Sequence, residues 1–377
     1  MNNRNYLLKI FLTLFCCVPF FCLITCQTQV EDRFLGAFFG CAIGDAMGKP
    51  TEFRSMKQIF ARYPNGVRSF KDFHESDFSK NKSGKKIACY TDDTAMALLV
   101  AKEFVKACKN NYSLDCTMGN LSRSFVKDMK KVNGWAAPYR APGNSCLAGV
   151  RELKKRIKSG LAGFRGVSWW NVEARNAGGC GSVMRVFSIG LLFSKDPREA
   201  ERWAVSHSTL THGASSAKAS CAAMGVGVAL AVRQEDPDVV VNKMIEAARR
   251  YDQKTADMIS EAAQLARANK KHCSNIKDMM RLSQPVYKKF LGWAAHDAIA
   301  ATVYTFLLSP DNIKHAIMLG VHTPGDSDSI ACMAGALVGA RVGVKQIPQN
   351  WIETVEGSQE IKEIAREAAK LVSALPN

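Results

Sequence analysis

From about residue 31 onward, apolar and small residues recur every three or four positions along most of the chain. Residues 94–109, 197–210 and 311–322 show this spacing clearly. A period near 3.6 residues places such positions on one face of a helix. Period-two alternation is short and rare. The pattern therefore predicts an all-α protein, folded as a compact orthogonal bundle of many medium-length helices.

Two of the helical segments, 217–234 and 329–343, are dense in alanine and glycine. Small side chains let helix axes approach closely, so we expect these helices to be central and buried. The absence of a fixed sequence period disfavours a solenoid, and no Pro/Ser-rich linker divides the chain. We predict one domain over 31–377. The charged, aperiodic stretch 70–86 is predicted to be a surface loop.

The N-terminus differs from the rest of the chain. Arg4 and Lys9 precede an apolar run from Ile10 to Thr25, which is long for a core helix and short for a membrane span. A basic start with a short apolar run is typical of a secretory signal peptide. A membrane anchor, or a lipid anchor at Cys26, is the alternative. Residues 1–28 are therefore set apart from the fold, and we expect a secreted, periplasmic or membrane-anchored protein.

The chain of 377 residues carries 51 Lys+Arg against 34 Asp+Glu, a net charge of +17. A basic balance favours anionic partners, although scattered basic residues also fit a surface that only maintains solubility. No nucleic-acid partner is expected from the charge alone.

The cysteines do not indicate a zinc site. None of those outside residues 1–28 forms a CxxC pair, so a zinc site is not predicted. One or two disulfide bonds are possible if the protein lies in an oxidising compartment.

Two adjacent carboxylates, Asp92 and Asp93, stand between Thr91 and Thr94 at the start of an apolar helix. One interpretation is helix capping, in which a side-chain oxygen accepts from free N–H groups of the first turn. A single aspartate would suffice for that purpose. Two neighbouring carboxylates repel each other, and the helix dipole offsets only part of the repulsion. Metal ligation is the second interpretation.

A second acidic cluster, Asp326, Asp328 and Ser329, precedes another small-residue helix. If folding brings the two helix starts together, four carboxylates converge and need cations. Oxygen ligands suit Mg²⁺, Mn²⁺ or Ca²⁺ rather than Zn²⁺. Two carboxylate pairs could hold two ions that orient substrate hydroxyls and activate water. The alternative is that each acidic cluster caps the start of its own helix.

Other candidates lie in loops next to helices. Glu52 follows the first helix, where a carboxylate beside a metal centre could move a proton, or could simply be a solvated surface residue. Asp45, inside that helix, is interpreted as structural. The glycine-rich stretches 139–149 and 174–185 run into helices, whose free N–H groups bind phosphate oxygens. His212 stands at a hydroxyl-rich helix start and is either buried or ligand-contacting.

Five segments, in this order, resemble the ADP-ribosylglycohydrolase family, and the resemblance extends over about residues 31–345. They are GCAIGDAMGKPTEF (40–53), YTDDTAMA (90–97), GGCGSVMRVFSIGL (178–191), LTHGASS (210–216) and GDSDSIACMAGALVGA (325–340). The resemblance implies an all-α fold with a binuclear Mg²⁺ or Mn²⁺ centre in a central cleft. It also implies a hydrolase that cleaves the N- or O-glycosidic bond between ADP-ribose and a modified protein side chain, releasing ADP-ribose.

Carried over by position, the resemblance assigns three groups of residues. The implied metal ligands are Thr91, Asp92, Asp93, Asp326, Asp328 and Ser329. Glu52 falls where the branch acting on ADP-ribosyl-serine has its catalytic glutamate. The implied substrate-binding residues are Gly143, Asn144 and Ser145 on the distal or adenine side, Gly178, Gly179 and Gly181 near the diphosphate or ribose, and His212.

The chain departs from the family pattern at two places. Cys180 stands where asparagine is frequent, and Thr323-Pro324 stands where a second glycine is usual. Both departures could alter the rim of the pocket. Two other functions remain open: a non-catalytic binder of ADP-ribose or a nucleotide, and a hydrolase of a small derivative such as O-acetyl-ADP-ribose.

Overall fold

The computed structural model describes residues 28–81, 83–163, 167–172, 176–270, 282 and 289–374. The predicted leader, residues 1–28, lies outside this part of the chain except for Thr28, so the leader stays a prediction. Within the described ranges, no helix combines the length and the apolar character that a membrane crossing requires.

The described residues form α-helices joined by short loops and 3₁₀ turns, with one small hairpin. The helices are α1 (28–48), α2 (Met56–Arg62), α3 (Asp92–Asn110), α4 (Leu114–Asp128), α5 (Asn144–Lys158), α6 (Phe187–Leu192), α7 (Pro197–Ser208), α8 (Ser215–Ala231), α9 (Pro237–Arg249), α10 (Gln253–Asn269), α11 (Ala295–Leu308), α12 (Ile313–Val321), α13 (Ser327–Val342), α14 (Gln349–Thr354) and α15 (Ser358–Ser373). The predicted all-α fold is confirmed.

The stretch 70–86 is more ordered than the loop predicted for it. It contains two 3₁₀ turns and the antiparallel hairpin β1 (Ser79–Lys80) and β2 (Lys86–Ile87). Phe70 is buried, and its ring lies 5.3 Å from the ring of Phe73, which in turn lies 5.4 Å from that of Phe78. Because these aromatic residues follow neither a helix period nor a strand period, the sequence pattern did not indicate that this segment is packed against the fold.

The alanine- and glycine-dense helices are central, as expected. Residues on every face of α8 and α13 are buried, and so are most of those in α11. Helix α8 packs against α7 and α9, while α13 packs against α11 and α12. Small side chains permit a helix to be enclosed by neighbours on all sides. All of the described cysteines are free, including the buried pair Cys41 and Cys332.

Helices α1 and α13 are in backbone contact. A Cβ atom added to Gly40 would lie 2.1 Å from the carbonyl oxygen of Gly335, and the reverse substitution gives the same distance. The relation repeats every four residues in antiparallel order, pairing Gly36 with Gly339, Gly44 with Ala331 and Gly48 with Asp328. Only glycine permits this approach. The C-terminal end of α1 is thereby held against the first turn of α13, which carries the second acidic cluster.

Candidate active site

A cavity of about 400 Å³ opens where the end of α1 meets the first turns of α3, α5 and α13. It is lined by residues from the predicted metal, catalytic and substrate groups: Glu52, Asp92, Asp93, Gly143, Asn144, Ser145, Gly178, Gly179, Gly181, His212, Asp326, Asp328 and Ser329. Its remaining lining residues are Phe53, Ala141, Cys146, Cys180, Met184, Trp293 and Ala294. Thr91 is the one predicted site residue that does not line it.

The first acidic motif is organised by Asp45 in α1. Asp45 Oδ1 accepts hydrogen bonds from the backbone N–H and the hydroxyl of Thr91, at 2.8 and 2.9 Å. Asp45 Oδ2 accepts from the N–H and hydroxyl of Thr94, at 2.9 and 2.6 Å. Thr91 is itself the N-cap of α3 and accepts from Asp93 N at 3.4 Å. Capping is therefore performed by Asp45 and Thr91, which leaves the carboxylates of Asp92 and Asp93 to the cavity.

Glu52 lies within the second acidic cluster. One carboxylate oxygen each of Glu52, Asp326 and Asp328 lies within 4.8 Å of the others. Backbone bonds hold this arrangement, because Phe53 N donates to Gly325 O at 2.7 Å and joins the segment carrying Glu52 to the start of α13. The alternative of a solvated surface glutamate does not fit, since Glu52 is only partly exposed and its carboxylate lies against those of Asp326 and Asp328.

The carboxylates in the cavity destabilise one another as anions. Burial, reinforced by the charge of Asp328, raises the pKa of Asp92 and of Asp93 well above its ordinary value. The same two causes raise the pKa of Asp326 well above its ordinary value. Burial, and then the charges of Asp328 and Asp326, raises the pKa of Glu52 to about 9. Such a site favours either protonation or a bound cation.

Two observations show that the residues present fit a divalent cation. The donors of the acidic cluster are carboxylate oxygens, which hard divalent ions prefer. Asp93 Oδ2 is buried and has no hydrogen-bond partner among the described residues. A buried, unsatisfied carboxylate oxygen is costly unless something positive lies beside it. A cation near Asp93 would remove that cost.

Cys180, one of the departures from the family pattern, lies directly on the acidic centre. Its Sγ is 3.0 Å from Asp326 Oδ2 and 3.7 Å from Ser329 Oγ. The backbone is held by a bond from Cys180 N to Trp293 O at 3.1 Å. Burial, and then the charges of Asp326 and Asp93, raises the pKa of the Cys180 thiol well above its ordinary value.

Another part of the cavity wall is formed by the N-terminus of α5 and the glycine-rich loop 178–181. Helix α5 begins after Gly143, and no side chain caps its first turn. A Cβ on Gly181 would lie 2.5 Å from Cys146 Sγ and 3.1 Å from His212 Cε1. The loop can therefore lie against α5 and His212 only with glycine at this position. Uncapped N–H groups at a helix start are a binding site for phosphate oxygens.

His212 is a neutral hydrogen-bond donor in this wall. Buried Arg185 donates from Nη2 to Thr211 Oγ1 at 2.7 Å, and Thr211 Oγ1 lies 2.7 Å from His212 Nδ1. Because arginine only donates, the hydroxyl proton of Thr211 is available to Nδ1, and we assign the imidazole proton to Nε2. Burial and the charge of Arg185 lower the pKa of His212 to about 3.

Sequence reasoning missed residues whose role depends on distant partners. Buried Arg140 donates from Nη1 to Tyr90 O at 2.7 Å and from Nη2 to Glu356 Oε1 at 2.9 Å, which ties the loop before α5 to the start of α3. The rim residues Phe53 and Trp293 line the cavity while 59% and 73% exposed. The available signals were a charged residue inside a glycine-rich loop and, for Trp293, an aromatic residue next to a glycine.

The fold and the site together define a class of protein: an all-α enzyme with an acidic centre suited to divalent cations. Five carboxylates, carried by separate segments of the chain, converge on one cavity large enough for a nucleotide-sized ligand.

Comparison with known proteins identifies the family. The model of the family described as ADP-ribosylglycohydrolase matches residues 27–376. The chain belongs to the ADP-ribosylglycohydrolase family, and it is a hydrolase of glycosidic linkages of ADP-ribose.

Several relatives are similar over most of their length. ADP-ribosylhydrolase ARH3 of Bos taurus is 24% identical over 89% of this chain and 92% of its own. ADP-ribosylarginine hydrolase Tri1 of Pseudomonas putida (strain GB-1) is 26% identical over 90% of this chain and 78% of its own. A solved structure titled ADP-ribosylglycohydrolase-related protein complex matches with a TM-score of 0.59 and 20% identity, covering 92% of this chain and 99% of that one. That structure supports the fold.

Proposed function

We propose that this protein releases ADP-ribose from modified protein side chains by hydrolysing the N- or O-glycosidic bond, using two Mg²⁺ or Mn²⁺ ions. The observation that carries the proposal is the convergence of Glu52 with Asp326 and Asp328, whose carboxylate oxygens lie within 4.8 Å of one another. Asp92 and Asp93 line the same cavity from α3. The activities for which the ARH3 and Tri1 relatives are named support the substrate class.

The two acidic clusters would hold the cations from opposite sides. Asp92 and Asp93 would contribute from the start of α3, and Asp326, Asp328 and Ser329 from the start of α13. When bound, divalent cations polarise the ribose hydroxyls and make water more acidic. Asp45 contributes indirectly, because its four bonds to Thr91 and Thr94 hold the α3 cluster in place.

Glu52 is the group we propose to move the proton. A neutral carboxyl accepts no proton from water, and burial, together with the charges of Asp328 and Asp326, keeps the pKa of Glu52 near 9 without cations. With those charges balanced, Glu52 becomes a carboxylate and takes a proton from the water that attacks the anomeric carbon. The same proton then passes to the leaving side-chain atom as the glycosidic bond breaks.

The nucleotide end of the substrate would lie against α5 and the glycine loop. The uncapped first turn of α5 suits the diphosphate, and the loop around Gly179 and Gly181 permits close backbone approach. His212 Nε2–H would donate to a substrate oxygen without adding charge. Together these contacts fix the anomeric carbon at the acidic centre.

The test is release of ADP-ribose from defined Arg-linked and Ser-linked ADP-ribosyl peptides, followed by mass spectrometry with Mg²⁺ and with chelator. We expect Mg²⁺-dependent release, and the preferred peptide identifies the acceptor. Asp92→Ala and Asp326→Ala should each lose activity while circular dichroism shows intact folding. Full activity in either variant would refute the metal assignment. Binding of ADP-ribose by calorimetry without turnover of any peptide would indicate a non-catalytic binder.

A further inference from the structure

We propose that Cys180 makes the acidic centre a site for thiophilic divalent cations such as Cd²⁺ or Zn²⁺, with the Cys180 sulfur as a ligand beside Asp326. The inference rests on the proposed function insofar as it concerns the cation site of that activity. It goes beyond an oxygen-only centre, because it adds a soft ligand that changes which ions the site retains.

The geometry places the sulfur within ligand reach. Cys180 Sγ lies 3.0 Å from Asp326 Oδ2. A zinc ion has bonds of about 2.0–2.2 Å to carboxylate oxygen and about 2.3 Å to sulfur, so a tetrahedral ion would set these two atoms about 3.6 Å apart. A movement of about 0.6 Å within the cavity therefore converts the present hydrogen bond into joint ligation. Ser329 Oγ, at 3.7 Å from the sulfur, already stands at such a distance.

A second, independent observation indicates that a ligand belongs here. Asp93 Oδ2 is buried without a partner, and Asp93 lines the same cavity as Cys180. A cation between the α3 and α13 clusters would satisfy Asp93 and meet the sulfur. Cys180 is buried and its backbone N–H donates to Trp293 O, which keeps the residue beside the centre.

Hard and soft cations would use the site differently. A hard ion takes the oxygens, and the Cys180 thiol stays protonated and donates to Asp326. A thiophilic ion bonds to sulfur: the S–H bond breaks, its proton leaves to solvent, and the new bond from sulfur to the ion replaces the hydrogen bond. The sulfur bond should let such ions outcompete Mg²⁺ and inhibit turnover.

The experiment titrates the full chain, freed of metals, with Cd²⁺ alone and records the ultraviolet charge-transfer absorption of a cadmium–thiolate bond together with the calorimetric Kd. We expect the band to appear at stoichiometric Cd²⁺ in the wild type. Cys180→Ser should remove the part of the band that appears with the first equivalent of Cd²⁺ and weaken the corresponding Kd by at least about tenfold, since loss of even indirect metal contacts has that effect. Cys180→Ala serves as the second variant if the serine variant is poorly folded by circular dichroism.

Cys146→Ser is the matched control, because Cys146 is another buried thiol that lines the same cavity. It should keep the band. An unchanged band and Kd in Cys180→Ser, or loss of the band in Cys146→Ser alone, would overturn the proposal. The outcome is separable from the enzymatic proposal: a Cys180-dependent band without peptide turnover refutes only the activity, whereas Mg²⁺-dependent turnover with Cd²⁺ affinity independent of Cys180 refutes only this inference.

Discussion

The backbone contact between α1 and α13 should control both stability and activity, and Gly40→Ala tests it. The added methyl carbon would lie 2.1 Å from Gly335 O, whereas such contacts are essentially never shorter than 3.0 Å, so the helices must separate locally by about 0.9 Å. Overpacking of a buried contact costs about 1–3 kcal/mol. Alanine recovers about 0.5–1 kcal/mol through its higher helix propensity. Together these figures give a fall in the free energy of unfolding of up to about 2.5 kcal/mol, with about 1 kcal/mol at the midpoints of the two ranges.

The loss of activity in Gly40→Ala should be larger than partial unfolding of the protein would explain. The same two helices carry Asp45 and Asp328 and hold Glu52 beside them, so a shift of this size moves groups that must act together. A misplacement of about 1 Å can cost about 100-fold in rate. We therefore expect kcat/KM for ADP-ribose release to fall about 100-fold in Gly40→Ala, although most of the protein remains folded at room temperature.

The assay pairs urea denaturation with ADP-ribose release, and Gly119→Ala is the control. Gly119 also lies inside a helix, but its Cβ would meet only the flexible end of Arg123 at 3.3 Å and the Trp169 ring at 3.4 Å. This variant should be at least as stable as the wild type, because alanine favours the helix, and equally active. If Gly40→Ala unfolds at the wild-type urea concentration and keeps its activity, close helix approach does not position the carboxylates.

Three further predictions concern individual side chains in the cavity. In the metal-free fold the raised pKa of Glu52 favours its protonated form. Protonated Glu52 therefore contributes fully to the free energy of unfolding below its ordinary pKa of 4.5, and this contribution is lost as pH rises through about 9. Glu52→Gln should therefore raise the melting temperature in chelator by an amount that grows over this interval, and a pH-independent difference would contradict the assignment. His212, whose pKa burial lowers to about 3, acts as a neutral donor; His212→Gln should retain most activity, whereas His212→Ala should raise KM about tenfold, the value of one hydrogen bond. Equal KM values for the two variants would refute that role. Trp293→Ala should leave unfolding unchanged within about 0.5 kcal/mol, because the side chain is exposed, yet weaken calorimetric binding of ADP-ribose; unchanged binding would remove Trp293 from the site.

Sequence periodicity could predict the helices because most of them bury one face or all faces. It could also point to the cavity, because the acidic motifs stand at helix starts, where loops and helix termini carry chemistry. The pairing of Gly40 with Gly335 could not be predicted, because the four-residue spacing of glycines in α1 does not indicate which other helix they contact. The same limit hid the bond between Arg140 and Glu356, which joins residues 216 positions apart.

Asp45 shows most clearly how local and distant information differ. A lone aspartate in an apolar helix suggests a structural role, but only the folded chain reveals that it binds Thr91 and Thr94 through four hydrogen bonds. That clamp shows that Asp92 and Asp93 are not needed as caps, so capping does not compete with the proposal that they bind cations. Capping and cation binding are compatible, because separate side chains perform them.

The distribution of charge links the fold to its substrate. The chain carries a net charge of +17, yet five carboxylates converge on its cavity. An acidic cavity alone would repel the diphosphate of ADP-ribose, whereas the divalent cations of the proposed function would reverse the local sign of the charge. On the proposed function, the cation site would therefore serve substrate binding as well as bond cleavage. Burial of the carboxylates raises their pKa and destabilises their charged forms, and this same burial gives a bound cation its strong electrostatic hold on the site.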